Sequence, residues 1–504
     1  MSNIIEVNIN ESVKKETGHS LYMARETAVQ VSALARKQSS EVSIIVLAYN
    51  QLEKTKRCVE SVLKYTQDVD YELILIDNGS EADIVEYFKS IDYPKTTIIH
   101  VDKNIGIGYP FQVISLNMLS EYVVTLANDI IVTKNWLSNM LKVFKTDEKI
   151  GLVNPVGCNM SNLQQVNLNY TTYEEMQENA EQFNVSDPTK WQERLRIITL
   201  GTVYRKACLY AIGWPMSDMG FVHDFIDDDI AFRVRRMGYK VVLAGDTWIC
   251  HDHKLSEKDP VVFQKSIEYG RADFQYKYHG IDAWDDVNNY IFHRLGNYIK
   301  KVDSACPKIL GIDVKCGTPI LDIKNIIRKF GLYEAECSAF TREEKYVADL
   351  NTICNGIVAC GQEESITRKL LYDYYDYIVI DNPINAYHEP MSVLMDAVML
   401  LKQGGQLLFS LKNTNNIIAL LAMFGISTDI ANDYYYNYTI DALVRDLSDV
   451  KVSFRILGNE SVMNLSTQAI EKAKKIVEMH SDEKIQRELC ARMMVDKYWI
   501  SIEK

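Results

Sequence analysis

The chain has 504 residues, 47% of them apolar, and a net charge of −13 at pH 7. That length is more than one core usually serves and calls for two or three domains. The charge argues against a general nucleic-acid or membrane-surface binder, while leaving room for a local basic groove that takes a diphosphate.

The ten cysteines are scattered, with no Cys-x-x-Cys pair and no zinc-like spacing, so reduced and mostly buried thiols are expected. No basic-apolar signal opens the chain, and no apolar run nears the roughly 20 residues that a membrane span needs. The expectation is a cytoplasmic protein.

Residues 1–40 are polar with helical spacing (Leu21, Ala24, Ala28, Val31, Leu34) and read as an N-terminal helical extension. From Glu41, short β-rich runs alternate with helical stretches: Val42 to Ala48, Tyr71 to Ile76, Thr97 to Val101, Tyr122 to Leu126 and Ile150 to Val153. Such alternation predicts an open, largely parallel α/β sheet whose ligands gather beyond the carboxyl ends of its strands. Polar residues follow four of those runs: Ala48-Tyr49-Asn50, Asp77-Asn78-Gly79-Ser80, Lys103-Asn104-Ile105-Gly106 and Leu126-Ala127-Asn128-Asp129. A strand-end carboxylate can read a ring N–H because it accepts and has no donor of its own. The same residues are also good turn formers.

Residues 158–195 are rich in Asn, Gln and Glu and lack strand periodicity, which suggests a surface insertion. The segment Gly201 to Ala207 is followed by Ile212-Gly213-Trp214. Asp227-Asp228-Asp229 then opens an amphipathic helix that carries Arg233 and Arg235 and closes at Gly238. Capping and the helix dipole account for one of the three carboxylates. A further strand and turn, Val241 to Asp246, precede His251 and His253.

Taken in order, these segments resemble the inverting glycosyltransferases of family 2, with the GT-A fold, over residues 41–290. The resemblance implies that Tyr49 and Asn50 flank the base and ribose of a nucleotide sugar and that Asp77 accepts from the base's ring N–H. Asn104, with Gly106, would hold the ribose-phosphate end; Asn128 and Arg233 would serve the same ligand, and Asp129 would ligate Mn2+ or Mg2+. His251, or in second place His253, would approach that metal. Asp227 would be the base that deprotonates the acceptor, with Asp228 as its rival. Two positions depart from the family pattern: Ala127 in the metal loop and Ile226 before the candidate base. The implied donor is a UDP-sugar such as UDP-N-acetylglucosamine. The implied acceptor is a hydroxyl, with protein Ser/Thr, as in flagellin, leading. A polysaccharide glycosyltransferase, a bifunctional glycosyltransferase-methyltransferase and a non-catalytic sugar-nucleotide scaffold are the alternatives.

After a linker over 291–304, a second α/β pattern runs through Ile309 to Val314, Lys315-Cys316-Gly317-Thr318-Pro319, Tyr377 to Asp381, His388-Glu389-Pro390 and Gly404-Gly405. Over residues 305–460 it is similar to a Rossmann-like class I S-adenosylmethionine-dependent methyltransferase. Glycines let a backbone approach a cofactor closely, and here Lys315 and Pro319 crowd that loop. The acidic ribose ligand expected near Ser338-Ala339-Phe340 is absent. No S-adenosylmethionine binding is expected, and the domain's expected work is to form a homodimer or hold the acceptor. Residues 461–504 have helical periodicity (Ile470, Ala473, Ile476, Val477) and read as a helical tail.

Overall fold

A computed structural model describes residues 3–7, 40–104, 106, 111, 113–214, 216–217, 221, 224–253, 259–290, 295–423, 435–463 and 482–504, with scattered positions between 467 and 478. The chain divides into two compact units, Met1–Asn288 and Asn289–Lys504.

The strands of the first unit are β1 (Asn3–Val7), β2 (Val42–Ala48), β3 (Tyr71–Asn78), β4 (Thr96–Val101), β5 (Tyr122–Ala127), β6 (Ile130–Ile131), β7 (Ile150–Gly157), β8 (Trp191–Glu193), β9 (Thr202–Arg205) and β10 (Lys240–His251). Their order is β1-β4-β3-β2-β5-β9-β7-β10-β6, with β8 added on β10. The pairings from β1 to β5 are parallel. Strands β2 and β3 are buried along nearly their whole length, as a parallel sheet covered on both faces requires. One core on each face uses their alternate residues: Ile45, Ile74 and Ile76 on one side, Ile44, Leu73 and Leu75 on the other.

Strand β9 is antiparallel to both β5 and β7, with Thr202 opposite Thr125. The residues entering β9 therefore lie at the same edge as the carboxyl ends of β5, β7 and β10. The edge strand β1 is a difference from the expected helical extension. Ile5 and Val7 alternate inward beside β4, and that alternation overrides the helical reading at Asn3–Val7. Residues 8–39, which carry the rest of that expectation, lie outside the described residues. The expected insertion is not featureless either: it holds a helix, Tyr173–Phe183, capped by Thr172, and β8.

The second unit contains β11 (Lys308–Ile312), β12 (Glu336–Thr341), β13 (Val358–Cys360), β14 (Tyr375–Ile380), β15 (Leu401–Lys412), β16 (Ser453–Ser461) and β17 (Val495–Glu503). They order as β13-β12-β11-β14-β15-β17-β16, with β17 antiparallel to both of its neighbours. This is the Rossmann-like, methyltransferase-type arrangement, with its switch point between β11 and β14. The tail is corrected by β17: only Glu483–Met493 of its continuously described part is helical, and Trp499, Ile500 and Ile502 are buried in the sheet. Part of the expected linker also packs on this unit, where Gln406 donates to the Tyr298 carbonyl at 2.9 Å and Leu295 and Ile299 are buried.

Candidate active site

Three loops meet beyond β2, β3 and β4. Gly79 (φ 72°) makes the meeting sterically feasible, because a Cβ there would lie 2.2 Å from the Lys103 carbonyl carbon. The loop after β4 can thus cross the end of β3. Asn78, buried, donates through Nδ2 to Asn104 Oδ1 at 3.2 Å and to the Gly106 carbonyl at 3.0 Å, while Gly106 N–H donates to Asn104 Oδ1 at 2.8 Å. Asn104 and Gly106 are exposed at this rim, as is Tyr49.

Asn50 and Asn128 have a different occupation from the one expected. Asn50 (φ 52°) donates its backbone N–H to Ser80 Oγ at 2.8 Å, and its Oδ1 accepts the Glu81 N–H at 3.1 Å. Asn128 donates through Nδ2 to the Asn50 carbonyl at 3.1 Å and to Thr55 Oγ1 at 2.9 Å. These amides brace the loops that shape the rim.

Asp77 is completely buried. Its Oδ1 accepts the Ser80 N–H at 3.0 Å, and its Oδ2 lies 2.6 Å from His100 Nδ1 on β4. His100 escaped the sequence reading. Its signal was a single imidazole at the end of an otherwise apolar run.

Beyond β5, the short pair of β6 with β10 sets Ile130 opposite His251, and Asp252 N–H donates to the Asp129 carbonyl at 2.8 Å. Asp129 is thereby held against both histidines: Oδ2 is 3.6 Å from His251 Nε2 and 3.8 Å from His253 Nδ1. The two rings are stacked at 5.3 Å. One ligand atom from each of Asp129, His251 and His253 falls within a 4.8 Å cluster. Burial alone would raise the Asp129 carboxyl, but His251, His253 and Lys54 outweigh it and hold it below its ordinary value. Burial would lower His251, and Asp129 reverses this and raises it.

His251 Nδ1 is 3.1 Å from the Asn159 carbonyl, so the proton sits on Nδ1 and the Nε2 lone pair is left for a metal. Asp129 Oδ1 is buried with no hydrogen-bond partner among the described residues. A carboxylate and two imidazoles fit a divalent transition ion, and the nitrogens favour Mn2+ over Mg2+. The residues therefore fit the expected metal, with both histidines in place. Beside them, Cys158 and Cys250 lie 3.4 Å apart, reduced. The contact with Cys250 pulls the Cys158 thiol down to about 6 and drives Cys250 up.

The acidic helix spans Ile226–Arg236 and has complementary charge at each end: Asp227, Asp228 and Asp229 in its first turn, Arg233, Arg235 and Arg236 in its last. The three carboxylates have separate environments. Asp229, fully buried, accepts from Arg233 Nε at 2.8 Å, from Tyr278 Oη at 2.6 Å and from Lys277 Nζ. Asp228, also buried, is paired with Arg196; burial pushes its carboxyl up to about 6 although Arg196 opposes the shift. Asp227 is partly exposed, makes no ion pair among the described residues, and accepts from the Thr199 hydroxyl just ahead of β9. Burial raises its carboxyl above the ordinary value, against Thr199 and Arg196. Arg233 is not placed as expected. Its guanidinium reaches Asp229, the Ile212 carbonyl at 2.9 Å and the Met216 carbonyl, and so ties the helix to the preceding turn.

In the second unit, polar side chains beyond β11 and β12 bond to one another. Asp313 Oδ2 accepts from Arg342 Nε at 2.6 Å and from Tyr387 Oη at 2.7 Å, and Oδ1 accepts the Arg342 N–H at 2.8 Å. Gly317 (φ 107°) is explained by packing, since a Cβ there would meet Ile353 at 2.3 Å.

Residues 43–194 match the model of the family described as Glycosyl transferase family 2. These residues form a family 2 glycosyltransferase domain. The match contains the loops of Tyr49, Asp77, Asn104 and Asp129 and ends before the acidic helix. A search of curated proteins finds no match.

Solved structures similar to the chain include GalNAc-T7 with UDP, GalNAc and Mn2+, at 14% identity over 53% of this chain and 53% of that one, TM-score 0.36. The chain thus spans about half the length of that relative. Others are the mannosyltransferase PcManGT from Pyrobaculum calidifontis in complex with GDP-Man and Mn2+ (14% identity, 51% and 72% covered, TM-score 0.33) and a SAM dependent methyltransferase from Archaeoglobus fulgidus (16%, 46% and 99%, TM-score 0.28). No helix among the described residues is long and apolar enough to cross a membrane.

Proposed function

We propose that the chain is an inverting, metal-dependent glycosyltransferase that moves a sugar from a nucleotide-diphosphate sugar to a hydroxyl acceptor. The observation that carries the reading is the convergence of Asp129, His251 and His253 beside the strand-end loops of a family 2 domain. In this reading those three residues hold Mn2+, which when bound offsets charge on the departing diphosphate. Asp227 takes the proton from the attacking hydroxyl. It is the accessible carboxylate of the three, and burial raises its carboxyl above the ordinary value, which makes its ionised form a better proton acceptor than an exposed Asp. Asp228 and Arg196 hold the segment from below, and a single displacement inverts the anomeric centre.

The donor we assign is a UDP-sugar, with N-acetylglucosamine as the sugar, and the acceptor is a protein Ser/Thr hydroxyl such as flagellin's. This assignment rests on the pairing of a family 2 domain with a methyltransferase-type unit. The second unit serves assembly or acceptor holding without S-adenosylmethionine; the support is the Asp313–Arg342–Tyr387 network beyond β11 and β12. Nucleoside diphosphates are to be screened by thermal shift with and without Mn2+, followed by transfer from UDP-N-acetylglucosamine. Stabilisation by UDP only when Mn2+ is present is expected. Full activity in chelator would overturn the metal assignment.

A further inference from the structure

We propose that His100, held by Asp77, reads the nucleobase of the donor and selects bases that carry a ring N–H. The inference rests on the reading of the first unit as a nucleotide-sugar enzyme and changes which residue meets the base.

Asp77 is poorly placed to do this itself. Its side chain is 0% exposed, whereas that of His100 is 27% exposed. Each Asp77 oxygen already has a partner inside the protein, the Ser80 N–H on Oδ1 and the imidazole on Oδ2. The two residues are directly opposite in the parallel pairing of β3 with β4, at the carboxyl edge where the ligand loops gather.

The chemistry of the pair follows from the carboxylate. An ionised Asp only accepts, so the shared hydrogen is on His100 Nδ1, and a neutral imidazole then carries its lone pair on Nε2. That nitrogen has no hydrogen-bond partner among the described residues. A fixed acceptor at the rim is complementary to uracil or thymine N3–H and to guanine N1–H. Cytosine and adenine present a ring nitrogen with its own lone pair, so the two acceptors would repel. Asp77 is the positioning residue and His100 the group that touches the ligand.

Calorimetry with UDP, dTDP, GDP, CDP and ADP in Mn2+ tests this on the full chain. The wild type is expected to bind UDP over CDP by about tenfold or more, the discrimination that one directed hydrogen bond supplies when the competitor leaves it unmade. His100→Phe should bring that ratio near one by weakening UDP. His100→Gln should hold UDP within a few fold and strengthen CDP, because an amide can turn its donor outward. A wild type that prefers CDP or ADP would overturn the proposal, as would a His100→Phe variant with an unchanged ratio. If His100→Phe does not fold, the His100→Gln ratio decides, and an unchanged value there overturns it. A wild type that binds no nucleoside diphosphate would remove the donor reading and this inference together; binding with an unaffected ratio removes this inference alone.

Discussion

The two units offer the same topographic opportunity and use it in opposite ways. Each has a mostly parallel sheet with polar residues after its strands, and a sheet of that kind favours a crevice at the carboxyl edge. In the first unit the groups there converge with capacity to spare: Asp129 Oδ1 has no partner among the described residues, and the Asn159 carbonyl fixes His251 so that Nε2 faces the carboxylate. In the second, Arg342 neutralises Asp313, Tyr387 closes over the same oxygen, and Asn289 donates to Asp381 at 2.7 Å. Burial raises the Asp381 carboxyl above its ordinary value, against the hydrogen bond from Asn289. A crevice of the right topology is therefore no sign of a ligand; what matters is whether its polar side chains are already satisfied by one another.

The largest effect expected from breaking this contrast is at Asp227. Asp227→Asn removes basicity and little shape, so kcat should fall by about 10²–10⁴ with UDP affinity nearly unchanged. Asp228→Asn should mainly lower the melting temperature, because it leaves the buried Arg196 guanidinium without its partner. Steady-state kinetics and calorimetry on both variants separate the roles, and a Asp227→Asn enzyme of normal turnover would end the assignment. The pH profile sharpens it. The base must be ionised to accept a proton, so the rate should rise with pH through the Asp227 pKa. Burial places that limb above the range of an exposed Asp. The limb should be missing from the residual rate of Asp227→Asn.

Next in size is the metal cluster. Asp129→Ala should abolish the Mn2+-dependent part of UDP binding. His251→Ala and His253→Ala should each weaken it by roughly ten- to a hundred-fold, the range that the loss of a supporting group gives at metal sites. Equal UDP affinity in Mn2+ and in chelator would contradict all three. The opposite unit supplies the counterpart: Arg342→Ala should cost about 2–3 kcal/mol of stability, because Asp313 is left buried without its charge partner. Neither this variant nor the wild type should bind S-adenosylmethionine by calorimetry; micromolar binding to the wild type would refute that expectation.

Legibility in the sequence followed the range of the interactions. Strands β2 to β5 and β7 were readable because burial on both faces writes a local apolar run, and turn residues punctuate them. Strand β17 was not, since Val495–Glu503 follows a helical stretch directly and sets charged residues around a short buried run, Trp499 to Ile502, and its long-range pairing with β15 and β16 makes it a strand. In the site, order along the chain pointed to Asp129, His251 and His253, whose ligand atoms the structure brings into one cluster. The hydrogen-bond partners of Arg233, Asn50 and Asn128 were not legible, because a side chain's partner is set by three-dimensional neighbours. Arg233 finds carbonyls 17 and 21 residues back, and His100 finds Asp77 only through sheet register.

The smallest expected effect discriminates between a ligand and a brace. Asn128 precedes Asp129, where a nucleotide contact was expected, yet its amide donates to the Asn50 carbonyl and to Thr55 Oγ1 and so ties the loop after β5 to the start of the helix Leu52–Tyr65. Removing a brace costs stability first. Asn128→Ala should lower stability by about 1–2 kcal/mol, the worth of the amide's lost bonds and the acceptors left behind, and should change UDP affinity by less than about threefold, well under one hydrogen bond's discrimination. Asn128→Asp should be worse for stability than Ala, since a carboxylate would face the Asn50 carbonyl with no hydrogen to offer. The reverse result, tenfold weaker UDP binding with an unchanged melting temperature, would return Asn128 to the ligand and show that the loop holds its shape without it.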